Sequence, residues 1–218
     1  MSSEPPSVRF PLEGTWLVLN PPGHPRHAYD INALGPERRL LRVPWWKVAL
    51  GRARARDLYG WGRPISSPVG GEVVTAVDGI RDRDRLNPIV DVPASMLVRP
   101  ARAKGNLAAL AGNHVIVAFE GVFAVLAHLQ RGSVRVKEGD TVSEGDPLGV
   151  VGNAGNTLAP HLHFHVMDGL DFAKANVLPF KVRAYDRWLD GRWVPMRDQP
   201  LPPRKGRVRG GTPADAGD

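Results

Sequence analysis

Three histidines stand at alternate positions of one short segment. The sequence APHLHFHVMDG, residues 159–169, contains His161, His163 and His165, with apolar residues between them. Because successive side chains of a strand point to opposite faces, the histidines would share one face while the apolar residues pack into the core. Same-face neighbours in a strand lie about 6.5–7 Å apart, so a single metal ion does not easily bind all three. One histidine can therefore be a metal ligand while its neighbour faces the reacting water.

Two other segments carry side chains suited to the same chemistry. GHPRHAYDIN contains His24, His27 and Asp30, and His128 ends the apolar run VFAVLAH. A carboxylate inside an apolar run needs a partner or a metal ion. The chain has no cysteine, so any metal would be held by His, Asp or Glu. Two imidazoles, a carboxylate and a water form the usual open catalytic zinc site, but the spacing alone is also compatible with histidines that only stabilise the fold.

The elements that must position these residues are predicted to be short strands. With 24 glycines and 21 prolines, the composition favours many turns and little helix. The sequence predicts an all-β domain over 15–196, with an insertion at about 81–112 that includes a short helix around NLAAL. The flanking residues 1–14 and 197–218 are rich in Pro, Gly, Ser and charge, and are predicted to be flexible. Strands are predicted at residues 16–20, 28–32, 70–77, 114–119 and 122–129.

The formal charge of +7 comes mostly from arginine, much of it in GRARARDLYG and PPRKGRVRGG. A basic surface suits an anionic partner such as nucleic acid, anionic lipid or a cell-wall polymer, but it is also compatible with a merely solvated surface. Basic motifs interleaved with aromatic residues, as in nucleic-acid binding, are absent. The sequence has no apolar run of about 18 residues, so no membrane span is predicted. The first residues lack the basic-then-apolar layout of a secretory signal, which leaves localisation open, and the oligomeric state is open as well.

Four motifs together resemble the lysostaphin-type zinc metallopeptidases. GNAGNTLAPHLHFHV is similar to their closing motif, and LAHL at 126–129 resembles their second histidine motif. VRVKEGDTVSEGDPLGVVG and PISSPVGGEVVTAVDG resemble two further segments, and the match runs in family order from about residue 24 to 180. The resemblance implies a mainly β fold, with an antiparallel sheet forming a groove (the duplicated hybrid motif) and loop insertions. It also implies a zinc endopeptidase acting on peptidoglycan peptides through zinc-activated water.

The resemblance assigns roles to individual residues. His163 and Asp30 would be zinc ligands, and His128 and His161 would be the catalytic pair that orients water and stabilises the tetrahedral intermediate. His165 falls where the family often has glutamate or glutamine. It is therefore interpreted as a residue that supports a ligand or the fold rather than one that binds the metal.

The first metal histidine departs from the family pattern. The common spacing is H-x-G-x-D, and the position four residues before Asp30 is occupied here by Arg26. His24 lies six residues before the aspartate and shares its strand parity, whereas His27 lies three before and has the opposite parity. His24 is the preferred ligand and His27 the alternative.

Two other interpretations remain open. The changed spacing is also expected of a catalytically inactive binding or regulatory module on the same fold. A lipoyl- or biotinyl-type carrier domain would explain VKEGDTVSEGDPLGVV, but it requires a lysine at an exposed hairpin tip that is not present at the expected place, and it leaves the histidines unexplained.

Overall fold

Strands account for most of the regular structure in the computed structural model, which describes residues 4–21, 23–93 and 107–211. Three short helices are α1 (Trp46–Ala49), α2 (Pro88–Pro93) and α3 (Leu107–Ala111). None of the helices in these ranges is long and apolar enough to cross a membrane. The strands are β1 (Ser7–Val8), β2 (Gly14–Leu19), β3 (Tyr29–Ala33), β4 (Pro64–Ser66), β5 (Gly71–Val77), β6 (Asn113–Phe119), β7 (Val122–Leu129), β8 (Thr141–Val142), β9 (Pro147–Val150), β10 (Leu162–Met167), β11 (Val177–Leu178), β12 (Lys181–Leu189), β13 (Arg192–Gln199) and β14 (Lys205–Gly210).

One large sheet carries the predicted site residues. Its main order is β1-β12-β14-β2-β3-β10-β7-β6-β5-β8, with β11 on β10 and β13 on β12, while β4 and β9 form a separate pair. All of these pairs are antiparallel except β1 with β12. The mainly β, antiparallel fold predicted from the sequence is confirmed, and all five predicted strands are present to within one or two residues.

The alternation in β10 fixes which face its histidines occupy. Leu162 and Phe164 are fully buried, and their Cα partners include Ile31 of β3 and Leu126 of β7, which are also fully buried. Burying each such side chain contributes about 1.5–3 kcal/mol, which a slip of one residue would lose. The apolar half of β10 thus holds the register that turns His163 to the opposite face.

Parts of both ends that were predicted to be flexible form strands in the structure. β1 pairs with β12, and Phe10 and Leu12 are buried in the core. β14 lies inside the sheet between β12 and β2, with Val208 fully buried. These strands pair with partners far along the chain, which a local count of Pro, Gly and charge does not detect. Residues 1–3 and 212–218 lie outside the described ranges.

The predicted insertion borders the candidate site. Its helix around NLAAL is confirmed over Leu107–Ala111, and residues 94–106 lie outside the described ranges. The helix is anchored to the glycine-rich turn before β10, because the backbone N–H of Asn156 donates to the carbonyl of Leu110 at 2.7 Å. A Cβ at Gly155 would lie 2.4 Å from the nitrogen of Gly112, so only glycine permits this close approach.

Candidate active site

Asp30 and His163 face each other on neighbouring strands. They are Cα partners in the β3–β10 pair, and His163 Nδ1 lies 2.9 Å from Asp30 Oδ1. The Asp30 side chain is only 13 % exposed. Two chemically complementary groups from distant parts of the sequence are therefore brought together by strand register alone.

His24 reaches the same carboxylate from a turn. Its Nε2 lies 3.6 Å from Asp30 Oδ2, and one ligand atom each from His24, Asp30 and His163 lies within 4.8 Å of the others. β3 begins at Tyr29, so His24 does not belong to the strand and the parity argument for it does not apply. The turn folds back instead, so a residue six positions from the aspartate contacts it.

Asn20 holds this turn and was not recognised in the sequence. Its side-chain amide donates to the carbonyls of Pro25 at 2.8 Å and Ala28 at 2.6 Å, while the backbone N–H of His24 donates to Pro21 at 3.1 Å. An asparagine at the end of a predicted strand and before Pro-Pro-Gly was the available signal, since Asn side chains commonly bridge turn backbones.

His27 stands apart from this group. It is half-buried, and it is absent from the set of His, Asp and Glu side chains in the described ranges that approach one another closely enough to share a metal. Burial, with the charge of Arg26, lowers its pKa. The geometry thus separates the two histidines that the sequence left as alternatives.

His128 and His161 form an adjacent pair of rings. Their centroids lie 4.8 Å apart, and the His128 ring is 5.9 Å from that of His163. The Nδ1 atom of each is tied to a backbone carbonyl, that of Ala154 at 2.9 Å for His128 and of Ala159 at 2.7 Å for His161. Each contact requires a proton on Nδ1, so Nε2 is the remaining nitrogen of each ring. His161 Nε2 lies 3.3 Å from Asp30 Oδ1, so this ring also contacts the carboxylate.

The backbone at His128 is unusual for a residue with a side chain. Its φ of 65° lies in the left-handed region, at the end of β7, and its carbonyl accepts from Gly152 at 2.9 Å. Non-glycine residues in this region are uncommon and are often found at functional sites. The strained backbone directs this imidazole toward His161.

Thr157 supports His161 and was also missed in the sequence. Its Oγ1 lies 3.1 Å from His161 Nδ1 and donates to the carbonyl of Ala159 at 2.7 Å. The hydroxyl and the carbonyl together fix the ring that precedes β10. A threonine four residues before the first histidine of the motif was the only signal in the sequence.

His165 contacts His163 on the side away from Asp30. His163 Nε2 lies 3.0 Å from His165 Nδ1, and the two rings meet edge-to-face at 5.2 Å. His165 is 8 % exposed and does not belong to the group of three ligand atoms. Because the Nδ1 of His163 faces Asp30 and its Nε2 faces His165, both nitrogens of the His163 ring have a partner.

The electrostatics of the site favour an ionised Asp30 among mostly neutral imidazoles. Burial alone would raise the pKa of Asp30, but His161 and His163 lower it well below its usual value. Burial lowers the pKa of His24 and lowers that of His128 well below the ordinary value.

The pKa values of His165 and His161 shift in opposite directions. Burial, with the nearby His163 and His24, lowers the pKa of His165 to about 3. Burial would lower the pKa of His161, but the adjacent Asp30 carboxylate raises it.

The donor set is of a chemical type that binds zinc. Zinc sites in proteins use imidazole nitrogen and carboxylate oxygen, and open sites have three protein ligands. Asp30 faces His163 through Oδ1 at 2.9 Å and His24 through Oδ2 at 3.6 Å. Neutral imidazole and ionised carboxylate are also the protonation states that bind metal. His24, Asp30 and His163 therefore form a candidate metal group with three protein ligands.

A groove of about 380 Å³ opens over four of the histidines, His24, His128, His163 and His165. Helix α3 contributes to its lining, so the end of the insertion borders the groove. The apolar residues of the lining include Leu110, Ala111, Val125, Met167, Phe172 and Val177.

The comparison with known families decides the classification. The family model described as "Peptidase family M23" matches residues 59–173, slightly more than half of the chain. The chain belongs to peptidase family M23. The matched range contains His128 and all three histidines at 161–165, so the M23 assignment rests on the part of the chain that forms most of the site.

The individual relatives have low sequence identity to this chain. The chain is 26 % identical over 149 residues to the peptidoglycan DD-endopeptidase ShyA of Vibrio cholerae, a match that covers 64 % of this chain and 30 % of ShyA. It thus spans less than a third of that relative. Among solved structures, the catalytic domain of lysostaphin from Staphylococcus simulans is 17 % identical with a TM-score of 0.39, covering 78 % of this chain and 86 % of that one. A zinc-containing peptidase from Vibrio cholerae is 18 % identical with a TM-score of 0.35, covering 88 % and 38 %.

Proposed function

We propose that this M23 family member is a zinc metallo-endopeptidase that hydrolyses peptide bonds in bacterial cell-wall peptides. The observation that carries the proposal is the approach of His24, Asp30 and His163 to within 4.8 Å of one another, beside a ring pair that is not part of the donor set. A metal group and a separate acid–base group on one groove are the two components that metal-assisted hydrolysis needs.

In this proposal each side chain has a distinct task. His24, Asp30 and His163 hold zinc, and His165 holds the ring of His163 through its Nε2. Zinc, when bound, acts as a Lewis acid that polarises the scissile carbonyl and activates water for attack. Outer contacts to a ligating imidazole usually fix its orientation and tautomer, which is the role given to His165.

His128 and His161 handle protons. Because their Nδ1 protons are held by the carbonyls of Ala154 and Ala159, the nitrogen that each ring can use for acid–base chemistry is Nε2. In His161 this atom also lies 3.3 Å from Asp30 Oδ1. His128 is neutral because burial lowers its pKa well below the ordinary value, so its Nε2 can accept a proton from the attacking water. His161 is suited to donate a hydrogen bond to the oxyanion that develops on the substrate, because Asp30 favours its protonated form.

The substrate class rests on the relative and on the groove. ShyA is a peptidoglycan DD-endopeptidase, and its match supports a cell-wall peptide as the substrate of this chain. A groove lined by both imidazoles and apolar side chains suits a peptide, whose backbone needs hydrogen-bonding partners and whose side chains need apolar contact.

The inactive-module interpretation depended on the departure from H-x-G-x-D. Because the turn at 21–28 returns His24 to 3.6 Å from Asp30, the altered spacing leaves three donors in place. This observation favours the enzyme over a binding module.

The matched pair His24→Ala and His27→Ala tests the proposal. The two residues lie in one turn and only His24 approaches Asp30. We expect one zinc per chain by elemental analysis in wild type and His27→Ala, none in His24→Ala, and cleavage of purified peptidoglycan fragments that follows the zinc content. Zinc lost only from His27→Ala would overturn the ligand assignment. Absence of zinc from reconstituted wild type would overturn the metallo-endopeptidase itself.

A further inference from the structure

A second cavity, of about 710 Å³, lies away from the histidine groove. It begins at Leu34 and Gly35, directly after β3. Leu34 is four residues beyond Asp30, a separation of about 13 Å along an extended chain, so the cavity is not part of the candidate metal centre. The side chains that give it its chemical character are Arg38, Arg42, Arg63, Arg207, Trp188 and Trp193.

Distant parts of the chain build this arginine–tryptophan cavity. Arg38 comes from the segment after β3, and Arg207 comes from β14, which was predicted to be flexible. Trp188 and Trp193 are Cα partners in the β12–β13 hairpin, and their rings meet edge-to-face at 5.2 Å. Only the completed sheet assembles these residues.

The positive charge of the cavity is not neutralised by the protein. Among the residues that the structure describes, none of the four arginines forms an ion pair with a carboxylate. Glu37 also lines the cavity, but its carboxylate pairs with Arg39. Slight burial and the charge of Arg38 lower the pKa of Arg207, as expected for two like charges over one ring. Converging like charges without counter-charges indicate that an anion belongs there.

The aromatic rings hold the guanidinium groups. The Cζ atoms of Arg38 and Arg207 lie 4.9 Å and 4.6 Å from the centroid of the Trp188 ring, and Arg42 lies 4.5 Å from that of Tyr59. A guanidinium over an aromatic ring is oriented by the ring and keeps its N–H edges free. Because arginines cover the Trp188 ring, recognition falls to those N–H groups rather than to stacking of a base or a sugar on that ring.

The backbone that presents Arg38 is strained. Glu37 and Arg38 have φ values of 54° and 64°, two consecutive non-glycine residues in the left-handed region. The loop is closed by the backbone N–H of Gly35, which donates to the carbonyl of Arg39 at 2.9 Å. Strain of this kind persists where the surrounding structure holds it and is concentrated at binding and catalytic sites.

From these observations we infer that the arginine–tryptophan cavity is a binding site for an oxyanionic ligand that carries at least two carboxylate or phosphate groups. The planar guanidinium matches both groups with paired hydrogen bonds. Four unpaired cations in one cavity exceed what a single monovalent anion would neutralise. The proposed peptidase activity is not needed for this inference, because the cavity and its ligand are separate from the metal donors.

Titration calorimetry on the full chain tests the site with two probes, inorganic pyrophosphate for phosphate and tricarballylate for carboxylate. We expect saturable binding of at least one probe, and its preference identifies the source of the oxyanion. Arg38→Gln and Arg207→Gln should each weaken binding about tenfold, since each removes charge-assisted hydrogen bonds. The matched control is Arg197→Gln, which removes the same charge from an exposed position on β13 outside the cavity.

The outcomes separate this site from the metal centre. His163→Ala should leave probe binding unchanged, whereas loss of binding in that variant would show that the probes bind at the metal donors and would overturn the inference. Absence of saturable binding by both probes would also overturn it, as would an equal loss in Arg197→Gln, which would indicate attraction to net charge alone.

Discussion

The histidine groove and the arginine–tryptophan cavity are built in opposite ways on one sheet. The groove takes Asp30 and His163 from the middle of paired strands, where register fixes their atoms 2.9 Å apart. The cavity takes Arg38 from an exposed loop and Arg207, which is partly exposed, from β14. Chemistry on a bond needs placement to a fraction of an ångström, whereas attraction between charges declines slowly with distance. Strand pairing supplies the precision between Asp30 and His163, whereas charge can be gathered from a loop and a strand together.

The largest effect is expected from replacing Asp30 in the groove. Asp30→Asn keeps the shape but removes the charge that a metal needs, so we expect loss of bound zinc and at least about a thousandfold loss of peptide hydrolysis. Elemental analysis and a peptidoglycan cleavage assay measure both. Asp168→Asn, at an exposed carboxylate outside the donor set, is the matched control and should change neither. Full activity in Asp30→Asn would contradict the assigned metal group.

His128 is expected to take part in acid–base chemistry and not in metal binding. His128→Ala should retain one zinc per chain while hydrolysis falls about a hundredfold to a thousandfold, the usual contribution of a general acid or base. Zinc content and turnover are measured on the same preparation. Loss of zinc together with activity would instead assign His128 to the metal.

A smaller effect is expected where His165 supports His163. Removing an outer contact to a ligating imidazole typically weakens metal binding about tenfold to a hundredfold, and His165→Ala should do so. His165→Gln keeps a hydrogen-bonding group and should recover most of the affinity. Competition against a metal chelator of known affinity measures both. Equal zinc affinity in wild type and His165→Ala would show that the 3.0 Å contact between the two rings does not support metal binding.

Strand β14 connects the cavity to the core, since Arg207 lines the cavity while Val208 is fully buried in the core. Val208→Ala removes two buried carbons and should lower the free energy of unfolding by about 1–2 kcal/mol. Val90→Ala, at a residue that is 59 % exposed, should change it by less than about 0.5 kcal/mol. Chemical denaturation measures both, and equal stabilities would place β14 outside the cooperative core.

The smallest expected effect is that of salt, which should weaken ligand binding in the cavity but not zinc binding in the groove. Raising sodium chloride from about 0.05 M to about 0.3 M shortens the screening length by more than half, so pyrophosphate binding to the open cavity should weaken about fivefold. Zinc retention in the groove, which depends on direct coordination, should stay unchanged. Calorimetry and elemental analysis at both salt concentrations check this, and insensitivity of pyrophosphate binding would remove the electrostatic basis of the cavity.

Much of the groove could be predicted because its signals are local. The alternation around His163 predicted the strand and its polar face, and the motifs that contain His128 and His161 were among the four that predicted the family. The turn that returns His24 to Asp30 could not be predicted, because it depends on the contacts of Asn20 with Pro25 and Ala28. The parity argument chose the histidine that does contact Asp30, but for a reason that the structure does not support.

The sequence by itself determined which side chains are present and how each short segment alternates between apolar and polar positions, because those properties belong to neighbouring residues. Only the tertiary structure decided that His163 faces Asp30, that residues 205–210 form an interior strand, and that Arg38 and Arg207 share one cavity. Strand pairing joins residues more than a hundred positions apart. Its free energy comes from the burial of both partners, which neither segment encodes alone.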